Sequence, residues 1–316
     1  MSSGLKIDLT TLKQRQSLPL EAKVNMTKSR IISFVTQLNG DVAISFSGGL
    51  DSTVLLDIAR ELFPNLVAVF VNTGLEYPEV VRFVKSQDNV IILRPKMNFK
   101  TVLETYGFPV VSKRVSEQIR TLRNPTPNNV ALRHRYLTGK NKKGIYRYQW
   151  KLAEKWKFLL EAPFRISEQC CDIMKKAPYA KYAKETGNSV ILGTRASESQ
   201  ERKLVYMKYG CNSYGKHGKS RSRPLSFWLH RDVLEYIATR QLEYPSIYGQ
   251  LRQDLAQEYY NTGLQGSGCI FCCFGLHLES QPNRFQRLRK SHPRLYKYCM
   301  TKLGLDEVLN FMRLPH

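Results

Sequence analysis

The stretch DVAISFSGGLDSTVLLDIAREL, residues 41–62, decides the fold. Residues 41–46 form a short apolar run without polar alternation, the pattern of a strand buried on both faces. Val54, Leu55, Ile58, Ala59 and Leu62 then fall on one face at the helical period, and Pro64 and Asn65 close the segment. Between strand and helix lies Ser47-Gly48-Gly49-Leu50-Asp51-Ser52. A turn in that place aims main-chain N–H groups and the positive helix end at one point, an anion site by geometry. The two glycines let the backbone approach phosphate oxygens without a Cβ in the way. Ser47 and Ser52 add hydroxyl donors, and Asp51 is placed to help hold a magnesium ion that accompanies phosphates. Neither a GxxxxGK[ST] loop nor a GxGxxG turn stands here, which argues against P-loop NTPase and dinucleotide readings.

Outward from this turn, residues 66–72 (LVAVFVN), 90–93 (VIIL) and 189–194 (SVILGT) repeat the continuous apolar pattern, and residues 79–85 and 179–185 read as helices between them. Unalternating strands separated by helices indicate a parallel sheet covered on both faces. The expected fold class is therefore α/β, with a Rossmann-like domain over residues 41–204. A helical lead-in (1–40) precedes it, with apolar residues at helical spacing between Leu20 and Leu38. A smaller helical and loop-rich region (205–316) follows, its clearest helix at 232–242. The regularity fails over 124–151, where two prolines, several glycine and asparagine residues and many cations predict a long functional or mobile insertion.

The 316 residues carry a net charge of +23, and the excess is concentrated. Residues 113–157 hold thirteen cations against two carboxylates, 195–231 nine against two, and 284–302 seven against none; the remainder is close to neutral. Such windows form an electrostatic footprint for a polyanion. The opening MSSGLKIDLTTLKQRQ lacks an apolar core of signal-peptide length, and no run approaches the ~20 apolar residues of a membrane span. A cytoplasmic address with no membrane partner is the expectation, and thiols stay reduced there.

Seven cysteines fit a disulfide framework poorly. Cys170-Cys171 and Cys269-x-x-Cys272 instead supply two pairs of soft ligands, enough for an iron–sulfur cluster or a structural zinc. Cys273 adjoins the second pair as an alternative to Cys272, and Lys175 and Lys176 follow the first pair. Cys211 lies in the basic stretch YGCNSYGKHGKSRSR (209–223), which predicts a lowered thiol pKa and a sulfur-carrying role.

SGGLDS resembles the signature of the PP-loop (N-type) ATP pyrophosphatases, and more of the chain resembles one branch, the phosphoadenosine phosphosulfate (PAPS) reductase family. VNTGLEYPE (71–79), GTRASESQER (193–202) and RPLSFWLHRDVLEYI (223–237) are similar to successive elements of that family. The resemblance implies an adenine nucleotide alpha-hydrolase-type sheet binding ATP with Mg²⁺ at its strand ends. It implies phosphate contacts from Ser47, Gly48, Gly49, Asp51 and Ser52, beside the strand end Ser45-Phe46, with Asn72, Thr73 and Gly193 near the adenosine. Asp51, Arg195, Arg202 and Cys211 are the expected catalytic residues. The CC…CxxC arrangement resembles that of adenylylsulfate reductases, which implies a [4Fe–4S] cluster on Cys170, Cys171, Cys269 and Cys272.

One departure matters. Sulfonucleotide reductases carry a nucleophilic cysteine in a Glu-Cys-Gly-Leu-His-type tail, whereas this chain has no cysteine after Cys299, and its Gly275-Leu276-His277 follows Phe274. The favoured expectation is an ATP-dependent adenylating enzyme acting on a nucleic-acid group, in tRNA or DNA, for sulfur incorporation with a sulfur-donor protein. Windows 113–157 and 284–302, where cations alternate with aromatics as in Tyr146-Arg147-Tyr148, would hold the nucleic acid. The rivals are a reductase using Cys211 or Cys299, and a non-catalytic nucleic-acid-binding or cluster-sensing protein.

Overall fold

The computed structural model describes residues 6–215 and 219–316. Its strands, in chain order, are β1 (Val42–Ser45), β2 (Ala68–Val71), β3 (Val90–Leu93), β4 (Val110–Val111), β5 (Ser189–Leu192), β6 (Asn212–Ser213), β7 (Arg221–Ser222), β8 (Leu251–Gln253), β9 (Tyr259–Asn261) and β10 (Cys273–Phe274). The chain divides into two compact units. One comprises residues 1–72, 76–94 and 178–267; the other comprises 73–75, 95–177 and 268–316.

The first unit is built on a six-stranded sheet of order β3-β2-β1-β5-β7-β6. Every pairing is parallel except β6 with β7. This is the mainly parallel α/β sheet that the unalternating strands foretold, and two short strands from beyond residue 204 complete it. β1 is central, with Ala43 and Ile44 fully buried. The following helix, Leu50–Leu62, buries Val54, Leu55, Ile58 and Ala59 completely. Burying four such side chains supplies roughly 1–3 kcal/mol each, so this strand–helix unit anchors the turn between its halves. β3 corrects an expectation: Ile91 and Ile92 are each 39% exposed because β3 lies at the sheet edge. The first unit also holds a buried ion pair, Lys23 Nζ to Asp232 Oδ2 at 2.6 Å.

The second unit is mostly helical, with a two-stranded parallel ribbon of β4 and β10. Its core gathers Val110, Val115, Ile119, Leu122, Leu159, Ile166 and Val308. The segment 124–151, expected to be irregular, contains the helix Val130–Thr138. A capping box between Thr126 and Asn129 precedes it, and Gly139, at φ +77°, ends it in the left-handed region. With only Tyr136 of this helix buried, no apolar stripe betrayed it.

Candidate active site

The turn after β1 is tied together by its own serines. Ser47 N donates to Ser52 Oγ at 3.3 Å, the two hydroxyls lie 3.0 Å apart, and Ser52 Oγ donates to Gly49 O at 2.9 Å. Gly48 sits at φ +70°, and a Cβ there would stand 2.7 Å from a Val84 methyl and 2.8 Å from one of Val80. Only glycine fits. Gly49 is the N-cap of the Leu50–Leu62 helix and brings no side chain to cap it, so the first-turn amides present an uncapped positive helix end. Tyr248 stands beside the turn, its hydroxyl donating to Ser267 Oγ at 2.6 Å.

The strand ends close around this turn. Gly193, just past β5, packs where a Cβ would lie 3.0 Å from Asp51 O. Ser45 ends β1, and Asn72 follows β2, its N–H donating to Leu93 O at 2.9 Å. The Phe46 ring is buried with its centroid 6.2 Å from that of Phe83, so Phe46 offers only its main chain. In the second unit Thr73 is buried, and its hydroxyl accepts from Leu75 N at 3.2 Å.

Asp51 and Arg195 meet directly. Arg195 Nε lies 2.6 Å from Asp51 Oδ1 but off the N–H direction, and the hydrogen bond runs from Nη2 to Oδ2 at 3.3 Å. Glu198 accepts from Arg195 N at 2.8 Å and pairs with Arg202. Arg195, Arg202 and Arg223 line a cavity of about 200 Å³ with Thr194, Ser199 and Ser226. Burial lowers the pKa of both Arg202 and Arg223, and Arg223 Nη1 is buried without a hydrogen-bond partner. Buried Arg195 and the orphaned donor of Arg223, with Glu201 as the carboxylate in the same wall, form a site that a phosphate or similar oxyanion would satisfy. Sequence reasoning included Arg223 in a motif but missed it as a site residue. Its only signal was its place at the start of RPLSFW.

Within the second unit, the adjacent thiols of Cys170 and Cys171 act on each other. Cys171 is lowered to about 6 by Cys170 and by Lys113 and Lys175, against an opposing burial cost. Cys170 is pushed up by Cys171 and by burial, with Cys272 and Cys269 among its charged neighbours. The four expected thiols are thus electrostatic neighbours. Cys273 is different: it is fully buried in β10, and the thiols that influence it are Cys272 and Cys299. Among the described residues no three His, Cys, Asp or Glu side chains form a site ready for a single metal ion.

The activated-thiol expectation for Cys211 is corrected. Cys211 is 6% exposed, and burial outweighs Arg30 and Arg15 to push its pKa up to about 11. Residues 216–218 of its basic stretch lie outside the described residues. Cys299 is fully buried and raised to about 12. In the basic windows Tyr146, Tyr148 and Tyr298 are exposed, whereas Tyr136 is buried against Glu117. Arg135 and Arg147 both lie over the Trp150 ring, at 5.1 and 5.2 Å.

The model of the phosphoadenosine phosphosulfate reductase domain matches residues 41–134 and 128–273, and the chain belongs to that family. An uncharacterized protein of Methanocaldococcus jannaschii is 24% identical over 324 residues, covering 95% of this chain; the chain spans 61% of that relative's length. Among solved structures, phosphoadenylyl-sulfate reductase from Candida auris is 15% identical with a TM-score of 0.38, covering 76% of this chain and 91% of its own. The U34-tRNA thiolase NcsA from Methanococcus maripaludis, solved with its [4Fe–4S] cluster, is 14% identical with a TM-score of 0.34 over 91% of this chain and 80% of its own. FMN adenylyltransferase from Candida glabrata is 11% identical with a TM-score of 0.41 over 75% and 64%. No helix among the described residues is long and apolar enough to cross a membrane.

Proposed function

We propose that this chain is a PP-loop ATP pyrophosphatase with a four-cysteine iron–sulfur site, which adenylates a nucleic-acid group so that sulfur can displace the activated oxygen. The observation that carries the reading is the glycine-capped turn 47–52, whose serines, amides and helix end converge beside the Asp51–Arg195 pair. ATP would lie with its phosphates on the first-turn amides and hydroxyls of Ser47 and Ser52, Mg²⁺ near Asp51, and its adenosine near Asn72 and Gly193. An oxygen of the substrate attacks the α-phosphorus, the bond to the β-phosphate bridge breaks, and pyrophosphate leaves. A sulfur nucleophile then replaces the oxygen, which departs with AMP. Arg195, Arg202 and Arg223 neutralise charge that grows on phosphate oxygens, and the burial of Arg195 makes its part of that stabilisation the more effective.

Cys170, Cys171, Cys269 and Cys272 would hold the cluster; four thiols that influence one another are the donor chemistry it takes, and zinc, which takes the same donors, is the other occupant. A cluster bound there would supply iron with affinity for sulfur. The thiols the reductase rival would use, Cys211 and Cys299, are buried and raised in pKa, which weighs against it. The test is pyrophosphate release from ATP and Mg²⁺ with and without nucleic acid, using anaerobically purified protein. Stimulated release supports the reading. Sulfite release from adenylylsulfate, with no pyrophosphate from ATP, would replace it with the reductase.

A further inference from the structure

The second unit contains a cavity of about 690 Å³ that the proposed chemistry above does not use. Its size falls in the range of small-ligand pockets. Lys113, Arg114, Lys151 and Lys155 line it, and no Asp or Glu does. Lys151 is partly neutralised by Glu154 at 3.1 Å, which leaves Lys113, Arg114 and Lys155 as the principal cations. Lys113 and Arg114 open the Lys113–Arg123 helix, whose Ser112 cap accepts from Val115 N at 3.2 Å, so the helix dipole adds to their field.

The rest of the wall is aromatic and hydrogen-bonding. Tyr148, 72% exposed, and Trp156 both line the cavity. Lys155 Nζ rests over the Trp156 ring at 5.2 Å, and the His277 ring meets Trp156 edge-on at 5.0 Å. His277 Nδ1 is buried with no hydrogen-bond partner, and burial and Lys155 both lower the ring's pKa. Val111, also in the wall, is held at φ +59°, a conformation a β-branched residue adopts only when its surroundings impose it. Two features link the cavity to the cysteines. Phe274 directly follows Cys272 and Cys273, and Lys113 is one of the charges acting on Cys171.

We propose that this cavity binds one nucleotide unit, with its phosphate on Lys113, Arg114 and Lys155 and its base against Tyr148 and Trp156. Cations alone would suit any anion, but a polar ring-edge nitrogen without a partner beside two aromatic surfaces matches a heteroaromatic base. The unit is either a free nucleoside monophosphate or a residue of a single-stranded nucleic acid. As a binding site it stands on the cavity itself and does not depend on the adenylation reading.

The experiment uses the full chain and three probes: a fluorescein-labelled single-stranded oligonucleotide, an unlabelled nucleoside monophosphate as competitor, and ATP with Mg²⁺. R114Q/K155Q and, separately, Y148A are compared with wild type, and thermal melting reports whether each variant folds. The double variant is expected to bind the oligonucleotide at least about tenfold more weakly, with a salt slope smaller by about two charges. Y148A should weaken binding about fivefold or more with the salt slope kept. ATP binding should be unchanged in both. Competition by the monophosphate identifies a free nucleotide as sufficient; a response confined to the oligonucleotide identifies the polymer. Wild-type oligonucleotide affinity in folded R114Q/K155Q, or no binding of either nucleotide probe by wild type, overturns the proposal. If the pocket variants weaken binding but the wild type releases no pyrophosphate from ATP, the pocket stands and the adenylation reading falls.

Discussion

Arg195 and Asp51 pair across the phosphate turn, Nε to Oδ1 at 2.6 Å, with only 9% and 21% of the two side chains exposed. The residue expected to face a metal ion and the one expected to face phosphate therefore face each other. Arriving Mg²⁺ and phosphates would compete for both partners, so the two substitutions should not act independently. D51N and R195Q are each expected to lower pyrophosphate release at least about a hundredfold. The double variant should be no worse than the more damaged single one, a coupling of at least about 2.7 kcal/mol. Additive losses in a double-mutant cycle would dissociate the pair from the chemistry.

Gly48 makes the turn possible. G48A must place a methyl within 3 Å of both Val80 and Val84 at a positive φ. The strain is of the order of 1–3 kcal/mol, and the amides should be displaced as it relaxes. Calorimetric titration with ATP and Mg²⁺ should find binding weakened at least about fivefold by such a loss. Unchanged affinity would mean that the turn does not grip phosphate.

The four thiols make a claim about metal content. Anaerobically purified wild type should be brown and carry about four irons per chain. C272S should lose that iron. C273S should retain it, because Cys273 is fully buried in β10 and the thiols that act on it are Cys272 and Cys299. Elemental analysis that finds one zinc and no iron would replace the cluster with the structural metal. Equal loss from both variants would undo the ligand assignment.

Alkaline pH should expose the buried Cys211. Its folded pKa is raised from an ordinary 9.0 to about 11, so the folded chain holds this proton more tightly than the unfolded one. The associated stability is complete below pH 9 and is lost as the pH rises toward 11, about 2–3 kcal/mol at most. Melting temperature should therefore fall between pH 8.5 and 10.5 in wild type, and fall less in C211A. Parallel decline in both proteins would remove Cys211 as a contributor.

Lys23 and Asp232 give a structural prediction. Their side chains are 1% and 6% exposed, and Asp232 Oδ2 also accepts from Leu229 N at 2.6 Å. K23M strands a buried carboxylate and should cost about 3–5 kcal/mol. Chemical denaturation would measure that loss, and a change under 1 kcal/mol would contradict it.

Legibility in the sequence followed the length of each signal. β1 and the Leu50–Leu62 helix were readable because continuous burial and the helical period each extend over several residues. β4, β6, β7 and β10 are two residues long, too short to carry any period. The Lys113–Arg123 helix buries Val115, Ile119 and Leu122 at helical spacing, but four interspersed cations made it read as part of a charge window. At the site, Gly48 and Asp51 announced themselves through local motif chemistry. Arg223 did not, because its burial and orphaned Nη1 arise only from folding. Cys211 misled for the same reason: its sequence neighbours are cations, yet tertiary packing, not sequence adjacency, sets its dielectric.

The most direct test is a crystal of the chain soaked with Mg²⁺ and a non-hydrolysable ATP analogue. The account predicts phosphate oxygens on the amides of residues 48–52 and the Ser47 and Ser52 hydroxyls, with the Asp51–Arg195 contact rearranged around them. An analogue bound elsewhere, with this turn and that ion pair untouched, would contradict it.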